Sequence, residues 1–200
     1  MPTPVNLGGG SWKGIDYMRS ATNRRTRAAS ELQLQQQRKF AVMMKFIQPL
    51  AGLLMLSFRN FAVRMTGTNS AFSYNLKNAI AGIYPDYTID YSLVLISRGD
   101  LPNALNPAGA AGAAGEIVFT WLNNAGTGKA MDTDQFIGVV YCPALQQSVY
   151  TTKGSDRSAQ TDTLAVSMFS GQVVETWVGF ISADGKEIAT SIYTGQVTVL

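Results

Sequence analysis

The sequence predicts an α+β protein made of three successive parts: an extended basic arm at 1–30, a short helical region at 31–83 and an antiparallel seven-stranded β-sandwich at 84–200. The hydrophobic period changes from helical in the second part to alternating in the third. The charge changes sign as well: residues 1–66 hold ten basic and two acidic residues (net +8), and residues 67–200 hold six and eleven (net −5). Since 46% of the residues are apolar and only 14% are charged, the chain can bury a core.

The arm shows no sustained period of 2 or 3.6 and contains Gly8-Gly9-Gly10, so we expect it to be extended. Its basic residues alternate with aromatic ones, a composition that suits phosphate contacts and base stacking on nucleic acid. The alternatives are solvated charge and docking onto the acidic sandwich of a neighbouring subunit. The candidate residues for binding nucleic acid or an acidic partner, two of them in the first helix, are Trp12, Lys13, Tyr17, Arg19, Arg24, Arg25, Arg27, Arg38 and Lys39.

The helical region begins at Ser30, a possible N-cap, and continues with strong helix formers. Pro49 lacks a backbone N–H, so we predict two helices, at about 31–48 and 50–65, rather than one straight helix. Gly67 suits a C-cap, and Asn69 or Ser70 can start a third helix that ends at Gly82.

The apolar side chains of these helices exceed what one face of a helical hairpin needs. Surplus apolar surface indicates burial against the sandwich, against another copy of the chain, or both. The interface candidates in the third helix are Tyr74, Asn75, Lys77 and Asn78, for which helix capping and solvation is an equally good interpretation.

Beyond a turn at Tyr84-Pro85-Asp86, β-branched and aromatic runs alternate with glycine-rich turns, which is typical of an antiparallel sandwich. The Gly/Ala tract at 107–115 is interpreted as a flexible connection between the first two strands. The predicted strands are 87–97, 115–122, 136–142, 147–152, 162–168, 173–182 and 190–200.

The chain has no histidine and one cysteine, which excludes Ser-His-Asp and Cys-His catalysis, His-ligated zinc and an internal disulfide. We interpret Cys142 as a small buried hydrophobe, and Trp121 and Trp177 as core residues. No S-x-x-K motif occurs. We therefore expect no enzyme, no cofactor, no metal and no small-molecule substrate.

Three short motifs are interpreted as having no special function. Arg98-Gly99-Asp100 reads RGD, but a match of three residues arises easily by chance. The run 126–129 lacks the first glycine and the following Ser/Thr of a phosphate-binding loop. Asp132 and Asp134 lie in a glycine-rich loop and are interpreted as a solvated turn rather than a cation site.

We expect neither a signal peptide nor a transmembrane segment. The first 14 residues have no apolar core of the kind that signal peptides carry. The richest apolar run, 46–58, is thirteen residues long and contains Gln48 and Pro49, whereas a membrane span needs about 20 apolar residues.

Two resemblances add to this interpretation. The strand pattern of 173–199 resembles the last two strands of a fibronectin type III-like module, so the sandwich is expected to be fibronectin- or immunoglobulin-like. The whole chain resembles a family of roughly 200-residue proteins of unknown function found in Bacteroidota genomes and their prophages. The segments that carry this second resemblance are GSWKG (10–14), SYNLKNAI (73–80), YP (84–85), IDYS (89–92), SRG (97–99) and GFIS-x-DGK (179–186).

The family resemblance implies no catalytic activity. Together with the arm-plus-sandwich layout and the opposite charges of the two parts, it favours a structural or assembly protein of a phage or phage-derived particle, located in the virion or in the cytoplasm of the host bacterium. Its expected partners are further copies of itself or other particle proteins. The alternative is a nucleic-acid-binding protein that uses the basic arm and the helical region.

Overall fold

The computed structural model describes residues 7–12, 15–20 and 28–200, and it divides into two compact units, Met1–Leu34 and Gln35–Leu200. The first unit contains a β-hairpin that the sequence does not predict, formed by β1 (Leu7–Trp12) and β2 (Ile15–Ser20). The three glycines of β1 pair with β2 through their backbones, so the hairpin leaves no alternating apolar pattern in the sequence.

The helical region starts as predicted but ends its second helix earlier. Pro49 lies in a 3₁₀ turn, Gln48–Leu50, which separates the first two α-helices. Thr66, rather than Asn69 or Ser70, caps the third helix, because its hydroxyl accepts a hydrogen bond from the Asn69 N–H. The helices are α1 (Glu31–Ile47), α2 (Ala51–Ser57) and α3 (Gly67–Asn78), with a second 3₁₀ turn at Arg59–Phe61.

The strands of the second unit form one small ribbon and two larger sheets. They are β3 (Ile80–Ala81), β4 (Thr88–Ile89), β5 (Leu105–Ala111), β6 (Glu116–Leu122), β7 (Gln135–Cys142), β8 (Gln147–Thr151), β9 (Thr161–Ala165), β10 (Val173–Ile181) and β11 (Ile192–Thr198). The ribbon pairs β3 with β4 around the predicted turn at Tyr84-Pro85, whose peptide bond is cis. One larger sheet has the antiparallel order β5-β6-β9, and the other has the order β11-β10-β7-β8.

The predicted strand 87–97 is wrong. Only Thr88 and Ile89 pair, because the Asp90 carboxylate accepts hydrogen bonds from the N–H and the hydroxyl of Ser92 and turns the chain into a 3₁₀ segment, Tyr91–Leu93. The following residues pair with side chains instead of a neighbouring strand: the N–H groups of Ile96 and Ser97 both donate to Ser191 Oγ.

The flexible connection predicted at 107–115 is also wrong, because most of that tract belongs to β5. A Cβ atom on Gly109 would lie 3.1 Å from Thr176 Oγ1 and 3.3 Å from both Phe119 and Thr194 Oγ1. The small residues of β5 therefore let this strand approach β10 and β11 of the opposite sheet closely.

The second unit has three layers, and the middle layer is the four-stranded sheet. On one face, Ile137, Val139 and Trp177 pack against buried side chains of the helical region. On the other face, Val140 and Phe180 pack against the three-stranded sheet. The two sheets form the antiparallel β-sandwich that the sequence predicts, and the helices cover its outer side. The buried helical residues in this core are Met43, Phe46, Ile47, Leu50, Leu53, Leu54 and Phe58.

One helical stretch in the described part of the chain, Glu31–Ser57, is long and apolar enough by length and composition to cross a membrane. In the structure several of its apolar side chains, including Phe46, Leu50 and Leu54, are fully buried, whereas others, such as Leu32 and Met55, are exposed. Core helices of globular proteins meet the same criterion, so the finding is weak evidence for a membrane span.

A buried ion pair ties together one end of the sandwich. Arg157 Nη2 lies 3.0 Å from Asp134 Oδ2, and both side chains are at most 1% exposed. The same guanidinium donates to Asn124 Oδ1 and to the carbonyl of Pro102, at 2.7 and 2.9 Å. Burial lowers the pKa of Arg157, and the Asp134 carboxylate opposes that change. The loops that precede β5, β7 and β9 are thus fixed to one another through a single side chain.

We expect Arg157→Ala to lower the free energy of unfolding by about 3–5 kcal/mol, because it leaves the negative charge of the Asp134 carboxylate buried without an opposite charge. Urea denaturation followed by circular dichroism measures the change. The matched control is Lys129→Ala, which removes the exposed Lys129–Glu187 pair and should leave the midpoint unchanged. Equal shifts of the urea midpoint for the two variants would show that the buried pair stabilises the fold no more than the exposed pair does.

We expect Gly109→Val to destabilise the protein by about 1–3 kcal/mol, because the added side chain must displace Thr176 or Phe119. Ala110→Val on the exposed side of β5 is the control, and it should change the stability by no more than about 0.5 kcal/mol. Thermal unfolding of both variants measures the difference. If both variants are as stable as the parent protein, β5 is not held closely against the opposite sheet.

Candidate functional site

The candidate site is an open cavity of about 430 Å³ on the helical side of the second unit, which we call the Arg98 pocket. One wall is α3, another is the segment that follows α2, and the third is the chain around Arg98. The lining residues are Phe61, Met65, Ser70, Ser73, Tyr74, Lys77, Asn78 and Arg98.

Two aromatic rings hold the Arg98 side chain. Its Cζ lies over the Phe61 ring, 4.2 Å from the centroid, and 5.1 Å from the centroid of the Tyr74 ring. The Arg98 N–H donates to the carbonyl of Ser57, and the next residue, Gly99, exchanges hydrogen bonds with Thr190. A Cβ on Gly99 would lie 2.0 Å from the Ile188 carbonyl oxygen, so only glycine fits there. Both the side chain and the backbone of Arg98 are therefore fixed.

The other walls are fixed by buried amide and hydroxyl groups. Asn75 donates to the carbonyl of Leu95 and accepts from its N–H, each at 2.9 Å, and this pair joins α3 to the chain that leads to Arg98. Ser70 Oγ donates to the carbonyl of Phe61 at 3.0 Å and so fixes the wall that Phe61 forms. The pocket is thus largely preformed, as binding sites commonly are.

The pocket is positively charged. Arg98 and Lys77 both line it, and no acidic side chain is among its described lining residues. With the hydroxyl of Ser73 nearby, the arrangement offers cationic and neutral hydrogen-bond donors beside aromatic surface. This chemistry suits binding of an anionic group.

The comparisons with known proteins identify a family. A model of a family of unknown function, DUF6266, matches residues 4–195. The chain belongs to this family. Two of the segments that carry the family resemblance in the sequence, 73–80 and 97–99, meet at the Arg98 pocket.

Two solved structures are similar to part of this family member. The fn3 domain of the human collagen alpha-1(XX) chain is 14% identical, with a TM-score of 0.35 over 52% of this chain and 90% of that one. The FN1–FN3 domains of chicken CNTN1 are 16% identical, with a TM-score of 0.35 over 50% of this chain and 37% of that one. No curated protein matches the chain.

The structure separates the four predicted interface residues. Tyr74, Lys77 and Asn78 line the Arg98 pocket. Asn75 is fully buried and bonds the backbone of Leu95, so the prediction of an interface role is wrong for this residue. Asn78 also donates to the carbonyl of Tyr74 in its own helix, as the capping interpretation expects.

The predicted nucleic-acid or acidic-partner residues are only partly described. Trp12 and Arg19 lie in the hairpin strands, and Tyr17 in β2 is exposed. Arg38 donates to the carbonyl of Pro85 at 3.3 Å, and Lys39 Nζ lies 4.9 Å from the centroid of the Tyr87 ring. Arg38 and Lys39 therefore contact the turn between β3 and β4. The remaining candidates, Lys13, Arg24, Arg25 and Arg27, lie outside the described residues.

The smaller motifs have structural explanations. The Arg98-Gly99-Asp100 tripeptide is fixed against the segment 188–190 and is not a free loop tip. Asp134 is not part of a solvated turn, as its sequence context predicts, but the buried partner of Arg157. Cys142, Trp121 and Trp177 are core residues, which confirms their interpretation.

A second cavity, of about 370 Å³, lies beside α1 and includes Lys45 and the phenols of Tyr91 and Tyr141. Burial raises the pKa of Tyr141 to about 12 and the pKa of Tyr91 still further. Both phenols therefore stay protonated at neutral pH and are hydrogen-bond donors. They belong to the aromatic cluster around Trp177, which explains their burial.

Sequence reasoning found the α3 wall of the Arg98 pocket but missed Phe61 and Arg98 itself. In the sequence Arg98 stands out only as part of a tripeptide. Its two aromatic partners are 37 and 24 residues away in the chain, so their contact with Arg98 leaves no local pattern. Aromatic residues preceding a helix and an arginine ending an apolar run are the only local signals, and both are common on protein surfaces.

We expect Asn75→Ala to destabilise the second unit, because the Leu95 N–H and C=O both lose their partner at about 1–3 kcal/mol for each buried group. Hydrogen exchange of the Leu95 amide and the urea midpoint measure the effect. Asn78→Ala is the control: it removes one exposed hydrogen bond and should cost no more than about 0.5 kcal/mol. Unchanged exchange at Leu95 would contradict the role of Asn75.

Proposed function

We propose that the protein is a non-catalytic structural protein that assembles with further copies of itself through its helical region. The observation that carries this proposal is the exposed apolar surface of that region. One side of the helices is fully buried on the four-stranded sheet, and a second set of large apolar side chains remains exposed. The members of this set between residues 40 and 65, which are 40% to 75% exposed, are Phe40, Met44, Met55, Val63 and Met65.

Exposed apolar groups of this size are common singly, and five of them within 26 residues favour an interaction surface in this region. Methionine is well suited to such a surface, because its flexible thioether adapts to an irregular partner. Three of the five side chains in this set are methionines.

The charge distribution favours a second copy as the partner. Residues 35–66 contain five basic residues and no acidic residue, whereas residues 84–200 contain five basic and eleven acidic residues. Opposite net charges favour contact between the helical region of one copy and the sandwich of the next. A head-to-body contact that each pair of copies makes once generates rings or filaments, whereas two reciprocal contacts close a two-fold dimer.

A particle component fits this kind of contact, and the phage or phage-derived particle expected from the sequence is the setting we propose. The virion or the host cytoplasm is then its location. The basic arm remains the basis of the alternative function, in which the chain binds nucleic acid. Nucleic acid that co-purifies with the protein and is lost on deletion of residues 1–30 would favour that alternative.

The experiment is sedimentation of the full chain over a range of concentrations, because the monomer mass of 21.6 kDa makes each association step easy to resolve. We expect concentration-dependent assembly in the parent protein. The double substitution Met44→Gln and Met55→Gln should weaken that assembly by about tenfold or more, because two apolar side chains lose their burial without a change in charge.

The control carries a methionine substitution outside both the helical region and the sandwich, Met18→Gln in β2, at a side chain that is 73% exposed. It should assemble like the parent protein. A strictly monomeric parent protein, or weakening by Met18→Gln as large as that by the double variant, would overturn the proposed role of the helical surface.

A further inference from the structure

We infer that the Arg98 pocket binds a small oxyanion, a carboxylate or a phosphate group, with Arg98 as the anchor and Lys77 as a second cation. This binding site goes beyond the proposed assembly function and does not depend on it. The state of the Arg98 guanidinium, the rigidity of the pocket and its positive charge support this inference.

Within the described residues, the guanidinium of Arg98 has no hydrogen-bond acceptor. An arginine has five N–H donors, and its aromatic contacts use none of them in the plane of the group. Among the side-chain hydrogen bonds and ion pairs of the described residues, none involves the Arg98 guanidinium. The in-plane donors are therefore available to a ligand in the pocket.

Arg157 shows what a structural arginine looks like in the same chain. It also lies over an aromatic ring, with its Cζ 4.3 Å from the centroid of the Phe180 ring. Its donors, however, are taken by Asp134, Asn124 and the Pro102 carbonyl. Arg98 has the same kind of contact with aromatic rings but no protein acceptor among the described residues. This is the arrangement expected of an arginine whose donors bind an external anion.

The pocket holds Arg98 in place before any ligand arrives. Its backbone is bonded to Ser57, and its side chain lies against Phe61 and Tyr74. Because these groups are already ordered, binding of an anion costs little conformational entropy. A long, freely rotating surface arginine lacks this advantage.

The chemistry of the pocket identifies the class of ligand. A planar guanidinium fork matches the two oxygens of a carboxylate or of a phosphate, and it binds both in a bidentate way. Lys77 adds a second positive charge, and the Ser73 hydroxyl adds a neutral donor. A cavity of about 430 Å³ admits such a group together with a part of the molecule that carries it.

The test is an NMR titration of the ¹⁵N-labelled full chain, which observes the Arg98 side-chain Nε–H and the backbone amides of Ser73 and Lys77. Sodium phosphate and sodium acetate are the two probes, and sodium chloride at matched ionic strength is the reference. We expect saturable shifts at these three groups with phosphate, with acetate or with both, and none with chloride. The responsive probe identifies which oxyanion the site prefers.

Variants assign the binding to the pocket. Arg98→Lys keeps the charge but loses the fork, and it should weaken binding at least fivefold. Lys77→Gln changes an exposed side chain, so it should keep the fold even if Arg98→Lys disrupts it. It should weaken binding about threefold. Lys153→Gln, an exposed lysine outside the pocket, is the matched control and should bind like the parent protein.

Three results would overturn the inference: no saturable shift with either oxyanion, the same shifts with chloride, or equal weakening by Lys77→Gln and Lys153→Gln. The proposed assembly is measured separately by sedimentation. A monomeric protein that binds phosphate supports the pocket and contradicts the assembly, and an assembling protein that binds neither probe does the reverse.

Discussion

Burial of both faces of β7 and β10 is the constraint on which the rest of the structure depends. These strands place Ile137, Val139 and Trp177 towards the helices and Val140 and Phe180 towards the opposite sheet. A sheet of this kind needs a cover on each side, because either face would otherwise expose a contiguous apolar surface. The helical region is therefore a structural layer of the second unit, and its outer surface is what remains for contact with other molecules.

The parts of the fold that could be predicted from the sequence are those with strong local signals. The apolar runs of β7 and β10 and the proline between α1 and α2 are of this kind. The strand β5 could not be predicted, because its glycine and alanine residues have low strand propensity. Their small size instead lets the strand approach the opposite sheet closely. The prediction of a strand at 87–97 was wrong for the opposite reason: the segment has the composition of a strand, but Asp90 and Ser92 turn the chain.

The candidate site was predictable only where one helix carries it. Tyr74, Lys77 and Asn78 stand at helical spacing, so one local segment indicates a common surface. Arg98 and Phe61 join them through hydrogen bonds that span long stretches of chain, such as the one from Arg98 N–H to Ser57. Bonds of that kind depend on the finished packing and leave no pattern in the sequence.

The ion pair of Arg157 and Asp134 also makes the two ends of the sandwich unequal. The three loops that it joins lie at the end where β7 begins. At the end where β7 stops, the turn at 143–146 is largely exposed and contains a left-handed residue, Gln146, without such an anchor in the described contacts. That turn is therefore the natural position for an inserted peptide tag, a fluorophore or a new chain terminus, because changes in its length leave the anchored end undisturbed.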